Sequence, residues 1–568
     1  MIPAAVRTNA TIMLKNKTTR RTFLSNSIAT AAAISLPSFT PRISTARTAA
    51  ARAIPSADLL AWQDLEIGMF VHFAPNTWQD KEGDDLSTPL SVINPDIDTD
   101  NWADCAVNLG ARYIVFVAKH QGGFCMWQTQ TTKYSIANTS WKNGRGDVLA
   151  DLSASCKKRG LRLGVYLSPR DDYFGAGIGG VCKNPSRQPV YDAMYREQLT
   201  EVLTRYGSMV EVWFDGSSVV PTSDLVRKYA SHAAIFQGPD ATIRWVGNEN
   251  GFAPYPLWDA ESKADAVSGT STSMHGDPNG DAWIPVECDV SIRRPNWFWS
   301  TTNVRHLMSL DQLIEVYYRS VGRGAQLLLN IPADRRGHMP DPDFARAKEF
   351  GDEIRRRFGK PVAEMHGSGP RVELHFEQPA HIDHVILEED TRYGQRVRAF
   401  HLEGLQNSAW IVLYEGSSIG HKHIVPIAPN EFRALRLIVA DSQGEPQIRR
   451  LAAFNTGAAP PQNWNASAHI WAADAVGEWK DSKFEVDLTA HIKDAAQYRV
   501  RFIPATGKVA GVQGVELMLD GAPAPRLVKA DPAAPDTLIL TMTAIGQKVI
   551  LRGTVTGAEQ GTILLQKM

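Results

Sequence analysis

The segment Val210-Glu211-Val212-Trp213-Phe214-Asp215-Gly216 is a short apolar run that ends in a carboxylate and a glycine. Valine and aromatic residues favour a buried pleated strand, and a glycine relieves the backbone where the chain turns away. Asp215 is therefore expected at the carboxyl end of a parallel strand, where the loops of a barrel or open sheet converge on one cleft. Taken alone, an Asp-Gly pair fits an ordinary turn or helix cap. Its neighbours argue for chemistry. His72 closes the run Ile67 to Phe73, His120 follows Tyr113 to Ala118, and Tyr166 lies in Leu161 to Ser168, with Trp127 and Trp213 nearby. Imidazoles and aromatic rings at adjacent strand ends suit a pocket that hydrogen-bonds hydroxyls and stacks a sugar face. Hydrolysis of a glycosidic bond needs a second carboxyl group; at a separation of about 5 to 5.5 Å, one attacks the anomeric carbon while the other protonates the leaving oxygen. Two candidates lie downstream, Glu249 in Arg244-Trp245-Val246-Gly247-Asn248-Glu249 and Glu287 in Trp283-Ile284-Pro285-Val286-Glu287-Cys288-Asp289-Val290. The spacing leaves the choice between them open.

These residues need elements to position them. From Asp58 to about Lys360, short apolar runs alternate with amphipathic ones. Strands are expected at Ile67 to Phe73, Tyr113 to Ala118, Leu161 to Ser168, Val210 to Asp215, Thr242 to Val246 and Gln326 to Ile331. Helices fit Val148 to Arg159, Tyr191 to Tyr206 and Asp224 to Phe236. The alternation predicts an α/β fold, a (β/α)8-type TIM barrel with one or two degenerate helices. After Pro361, segments such as Arg371 to Phe376, His381 to Leu387, Arg396 to Leu402, Trp410 to Tyr414 and Ala434 to Val439 alternate polar and apolar positions between turn residues. That texture predicts a β-sandwich. A Pro, Asn and Ala-rich break at Gly457 to Ala466 leads into a second β-rich block ending at Met568. The expected organisation is an export signal over 1–53, a catalytic barrel over 54–360, a β-sandwich over 361–456 and a second β-rich domain over 457–568.

Composition narrows the function classes. The 60 basic and 61 acidic residues leave a formal charge of -1, which gives no electrostatic footprint for nucleic acid or an anionic membrane. Cys105, Cys125, Cys156, Cys182 and Cys288 are scattered and odd in number; this argues against a disulfide framework and a zinc site. No His, Cys or carboxylate cluster has ligand spacing, so neither a metal nor another cofactor is expected. At the start of the chain, Lys15, Lys17, Arg20 and Arg21 precede a mild apolar run from Ile28 to Leu36, and Ala51-Arg52-Ala53 offers a small-x-small cleavage site before Ile54. Arg20-Arg21-Thr22-Phe23-Leu24 resembles the twin-arginine signature of folded-state export in bacteria. A periplasmic or secreted mature protein without a membrane anchor is the expectation.

With these motifs in order, the chain resembles the α-L-fucosidases of glycoside hydrolase family 29. The resemblance is carried by Gly68-Met69-Phe70-Val71-His72-Phe73, Lys119-His120 through Trp127, Gly146-Asp147-Val148, Gly164-Val165-Tyr166, Trp213-Phe214-Asp215-Gly216 and Gly324-Ala325-Gln326-Leu327-Leu328-Leu329-Asn330-Ile331. Trp245-Val246-Gly247-Asn248-Glu249 and Asp289-Val290-Ser291-Ile292-Arg293 further resemble the branch that favours α-1,3 and α-1,4-linked fucose. The resemblance implies a retaining hydrolase acting on fucosylated oligosaccharides or glycoconjugates. It also implies Asp215 as nucleophile, Glu249 as acid/base with Glu287 as the alternative, and a fucose pocket lined by His72, His120, Trp127, Tyr166 and Trp213. Gln121, Trp258 and Glu287 are added as substrate-contact candidates. An acid/base must hold its proton near neutral pH, so Trp245 and Trp258 are expected to wall Glu249 and the charge on Asp215 to act on it. The chain departs from the family pattern Lys-His-His-Asp-Gly-Phe at Gln121 and Gly122, and from Ser-Pro-Trp-Asp at Arg170. Those departures leave two alternatives, an α-L-galactosidase-like hydrolase with the same mechanism and a non-catalytic carbohydrate-binding protein on the same barrel.

Overall fold

The computed structural model describes residues 42–43 and 53–567, except 217, 262, 264–274, 466–473, 493–496, 505–508, 532–533 and 543–546. Arg20, Arg21 and the rest of the expected export signal before Ala53 lie outside the described residues, apart from Arg42 and Ile43. Eight parallel strands form one sheet: β1 (Ile67–Val71), β2 (Tyr113–Lys119), β3 (Arg162–Leu167), β4 (Met209–Trp213), β5 (Ala234–Phe236), β6 (Arg244–Trp245), β7 (Val286–Ser291) and β8 (Gln326–Asn330). Their order is β5-β4-β3-β2-β1-β8-β7-β6, and a parallel bridge from Phe236 to Ile243 joins the two edges into a barrel. Strands covered on both faces read as nearly unbroken apolar runs, and every residue of β1 and β2 is buried.

The strand period of two sorts side chains to the two faces of the barrel wall. Met69, Val71, Ile114 and Phe116 pack outward against the helix layer, with Trp102 and Leu109. Phe70, Val115, Tyr166, Trp213 and Leu328 point inward and fill the barrel. Helices α1 (Thr99–Leu109), α2 (Val148–Arg159), α3 (Gln188–Arg205), α4 (Ser223–Tyr229), α5 (Leu310–Arg319) and α6 (Asp341–Phe358) follow β1, β2, β3, β4, β7 and β8. Local chemistry sets their ends. Asp98 and Asp147 cap α1 and α2 by accepting the Asn101 and Ala150 N–H groups, and Gly110 and Gly160 close them in the left-handed conformation. No helix stands between β5 and β6, and the stretch from β6 to β7 carries a small hairpin of Ala260–Glu261 against Ala282–Trp283. These are the two degenerate units of the barrel.

Two barrel strands escape sequence reasoning. The expected helix Asp224 to Phe236 stops at Tyr229, and its last three residues are β5. Ala230, Ala233 and Ala234 carry no β-branched signal and continue a helical apolar pattern. In β7, Glu287 and Asp289 point into the barrel while Val286, Cys288 and Val290 alternate with them, so a strand is hidden behind inward acidic residues. The strand expected at Thr242 to Val246 is reduced to Arg244–Trp245 and is the sixth of the barrel rather than the fifth.

Beyond the barrel, Ala363–Ser368, Arg371–Glu389, Val397–Gln406, Ala409–Gly416, His423–Ser442 and Gln447–Phe454 pair antiparallel. The two runs Arg371 to Phe376 and His381 to Leu387 are one strand, continued through register shifts that let it bend. Its core holds Val385, Leu387, Leu402, Val425 and Leu437. The region braces the barrel at the strands' N-terminal end, where Lys422 pairs with Glu66, and His421 and Arg449 with Asp64, both pairs at 2.8 Å. The last block, within 474–567, consists of a five-stranded and a four-stranded antiparallel sheet around its own core of Trp479, Val500, Phe502, Leu517 and Leu551.

Candidate active site

Asp215 lies just past the end of β4, where Gly216 turns the chain with φ +86°. A side chain at 216 would be strained in that left-handed conformation, and the Gly216 N–H donates to Gln237 Oε1. Asp215 Oδ2 accepts two hydrogen bonds, from Gln121 Nε2 at 2.6 Å and from the Tyr166 hydroxyl at 2.7 Å. Burial, and next the charge on Asp215, push the Tyr166 phenol well above its ordinary range, so it remains a donor. Among the described residues no donor reaches Oδ1, and the carboxylate is only partly buried.

Two histidines complete the mouth. His72 lies beyond β1, with Nδ1 2.8 Å from Asn330 Oδ1 on β8. The Asn330 amide nitrogen already donates to Ser291 Oγ and the Trp297 carbonyl, so its oxygen accepts and His72 carries its proton on Nδ1. His72 Nε2 is thereby an acceptor. Burial, reinforced by His120, holds the His72 pKa well below the usual imidazole range. His120 is lowered by burial to about 4, against the opposing pull of Asp215. Its ring stacks on Tyr166 with centroids 5.7 Å apart. Both imidazoles are neutral at neutral pH and able to exchange hydrogen bonds with uncharged hydroxyls.

Gln121 and its surroundings replace the expected second histidine. Gln121 Oε1 accepts from Arg170 Nη1 at 3.1 Å, and Arg170 grips Asp172 through Nε and Nη2 at 2.8 and 2.9 Å. A Cβ at residue 122 would sit 2.4 Å from Asp84 Oδ2, so Gly122 makes room for a carboxylate delivered by the loop after β1. Asp84 is held there by Gln79 Nε2 at 2.8 Å and by the Tyr134 hydroxyl at 2.6 Å.

The second rim is built after β6 and β7. Glu249 has a side chain 41% exposed and pairs with Arg294 at 3.2 Å. Its charge reaches Asp289, whose pKa burial raises to about 7, and Glu82, also raised by burial. Asp289 Oδ1 accepts from Trp245 Nε1 at 2.7 Å, and Glu82 accepts the backbone N–H groups of Trp297 and Phe298. The Trp297 ring lies 5.2 Å from His72, and Phe298 meets both histidines edge-on.

Four expected site residues sit elsewhere. Trp127 is 0% exposed on the outer side of the barrel wall, its indole donating to Glu201 of α3 at 2.8 Å. Trp213 belongs to the barrel interior, stacked on Phe236 at 4.0 Å with the rings 7° from parallel, and offers no open face. Trp258 packs against Arg398 of the adjoining β region, 4.5 Å from its ring centroid, while the neighbour of Glu249 is the cationic Arg294, which favours the ionised carboxylate where an apolar wall would favour the acid. Glu287 is 0% exposed and accepts from Trp213 Nε1 at 2.9 Å. It lies one strand period below Asp289 in a polar barrel floor shared with Glu211, whose carboxylate takes the Trp62 indole N–H. The residues missed from sequence are Arg170 and Asp172 as a pair, Asp84, Arg294, Trp297, Phe298 and Asn330. The run Asn296-Trp297-Phe298-Trp299 was the available signal for the aromatic wall.

The floor carries its own expectation. Burial, and next the charge of Glu211, raise the Glu287 pKa well above the carboxylate range, so Glu287 keeps its proton at neutral pH, and burial raises Glu211 beside it to about 7. A carboxyl group whose pKa is raised on folding favours the native state below its unfolded value and loses that contribution as pH climbs through the folded value. Glu287→Gln removes this proton without changing shape. The fall in Tm between pH 5 and pH 8 is expected to be smaller in the variant than in the parent; equal falls would refute the account.

The comparisons agree with this geometry. A family model described as Alpha-L-fucosidase matches residues 94–356. The chain is similar to Alpha-L-fucosidase 1 of Arabidopsis thaliana, 30% identical over 452 residues that cover 71% of this chain and 87% of the relative. Among solved structures it is similar to a glycoside hydrolase 29 family member from an unknown rumen bacterium, with a TM-score of 0.66 and 27% identity over 91% of this chain and 99% of that one.

Proposed function

Because this chain belongs to the α-L-fucosidase family, glycoside hydrolase family 29, we propose that it removes terminal α-L-fucose from glycans by double displacement, with Asp215 as nucleophile and Glu249 as acid/base. One observation carries the roles: Asp215 has one oxygen held by two donors and the other without one among the described residues. Oδ1 attacks the anomeric carbon, a glycosyl ester forms, and the leaving oxygen takes a proton from Glu249. Glu249 then removes a proton from water, which attacks the ester and releases the sugar with its configuration retained. As charge returns to the carboxylate in that second step, the Gln121 and Tyr166 donors are already in place to stabilise it. His72 and His120, both neutral, supply hydrogen bonds to the sugar hydroxyls.

An α-1,3 or α-1,4 linkage on a fucosylated oligosaccharide or glycoconjugate is the reading favoured by Trp245 to Glu249 and Asp289 to Arg293. These segments lie side by side at the ends of β6 and β7, joined by the Trp245–Asp289 hydrogen bond. One observation favours a second substrate. Gln121 and Arg170 make a polar wall where the family pattern has histidine and tryptophan, and a polar wall accommodates an extra hydroxyl. Aryl α-L-fucoside and aryl α-L-galactoside assayed side by side decide it: the fucoside should be the better substrate, preference for the galactoside would overturn the assignment, and turnover of neither would leave a sugar-binding protein.

Export by the twin-arginine route completes the reading, supported by Arg20-Arg21 and the cleavage site before Ile54. No helix among the described residues is long and apolar enough to cross a membrane. Replacing Arg20 and Arg21 with Lys should leave precursor in the cytoplasm, as fractionation would detect; unchanged export would remove the twin-arginine assignment.

A further inference from the structure

We infer that Arg170 is a positioning residue for the nucleophile, acting through Gln121. The inference rests on the assignment of Asp215 above and adds a residue that touches neither reacting atom. An amide side chain can be turned either way about its last torsion, and only its partners decide. Here they decide it twice. Arg170 Nη1 has only hydrogens to offer, so the Gln121 atom 3.1 Å from it is the oxygen. The nitrogen is then directed at Asp215 Oδ2, 2.6 Å away. The reversed amide would set an oxygen against the carboxylate and an NH2 against the guanidinium, two repulsive contacts in place of two hydrogen bonds.

Arg170 is itself anchored. Its planar fork meets both oxygens of Asp172, and the Asp172 and Tyr173 N–H groups donate to the Gln121 and Gly122 carbonyls at 2.9 and 3.1 Å. The loop after β3 is thus zipped onto the segment after β2, and the chain Asp172–Arg170–Gln121–Asp215 runs through charge-assisted contacts at both ends. A histidine at 121 would have a ring nitrogen of its own for Asp215. Glutamine needs a partner to tell its two ends apart, and Arg170, which stands where the family pattern has tryptophan, is that partner. The two departures from the pattern form one device.

The test is a double-mutant cycle on aryl α-L-fucoside hydrolysis with Gln121→Ala and Arg170→Ala. Each single variant should lower kcat by about 10- to 100-fold, the range of a hydrogen bond to a charged group. If Arg170 acts through Gln121, the double variant should be no worse than the poorer single one by more than about twofold. Inhibition by L-fucose should stay within about twofold of the parent in Arg170→Ala, because L-fucose lacks the extra hydroxyl for which the Gln121–Arg170 wall has room. Arg170→Lys, which keeps a cationic donor for the amide oxygen, should recover part of the loss. Losses that multiply in the double variant, or a weakening of L-fucose inhibition that tracks the loss in kcat, would overturn the inference and make Arg170 a direct sugar contact. Asp215→Ala, run in the same assay, separates the two claims: if it retains turnover, the inference falls together with the nucleophile. If it is inactive while the losses multiply, only the role of Arg170 falls.

Discussion

Asp215→Ala should lower kcat on an aryl α-L-fucoside by at least about a thousandfold, a cost of some ~4 kcal/mol or more in transition-state stabilisation. The size follows from the chemistry, because without Oδ1 no glycosyl ester forms and the remaining residues only bind and polarise the sugar. The variant should still fold. Asp215 is partly exposed beyond the strand end, and the donors that hold it, Gln121 and Tyr166, keep their own anchors in Arg170 and the barrel core. Azide offers a sharper readout. A small anion in the vacated space should restore part of the activity by attacking the anomeric carbon itself, and this single displacement gives fucosyl azide of inverted configuration. Near-parent turnover in Asp215→Ala would return the residue to the role of a turn or helix cap.

Much of this site is legible in the sequence wherever a strand end is marked by a change of residue type. The runs into His72, His120 and Asp215 each pass from buried apolar residues to a polar one, and the barrel places all three at one mouth. The strand period, however, is invisible where both faces are buried. On β1, Met69 and Phe70 read alike in sequence, yet one faces the helix layer and the other fills the barrel; Trp127, in the segment after β2, packs on the outer side as well. The same ambiguity hides β7, because a strand whose inward face is acidic inverts the usual pattern of apolar inside and polar outside. Contacts between distant loops are beyond periodicity altogether. Asp84 reaches the space above Gly122, and Trp297 reaches His72, through loops whose course no local propensity dictates. The Thr242 to Val246 run follows the Asp215 strand directly in the sequence-based strand order, yet β5 stands between β4 and β6, because the strand at Ala234–Phe236 carries no strand signal of its own.

The choice of Glu249 over Glu287 now rests on access. Glu287 is sealed in the barrel floor, 0% exposed and bonded to Trp213, so no leaving group or water approaches it. Glu249 stands on the open rim, and its salt bridge to Arg294 is a partner that an incoming glycan can displace. An acid catalyst matters in proportion to how badly the departing group needs a proton. With a dinitrophenolate leaving group, Glu249→Ala should lower kcat/KM by less than about tenfold. For an α-1,3 or α-1,4-linked fucosyl disaccharide, whose leaving sugar is a poor leaving group, the loss should approach 10²- to 10⁴-fold. Because kcat/KM reports the steps through the first irreversible one, the slower release of the ester intermediate should appear separately, as a fall in kcat that azide relieves. Glu287→Gln should leave the ratio between the two substrates unchanged. If Glu287→Gln instead shows the selective loss on the disaccharide and Glu249→Ala does not, the acid/base role passes to the barrel floor, and Glu249 is left as a residue lining the rim.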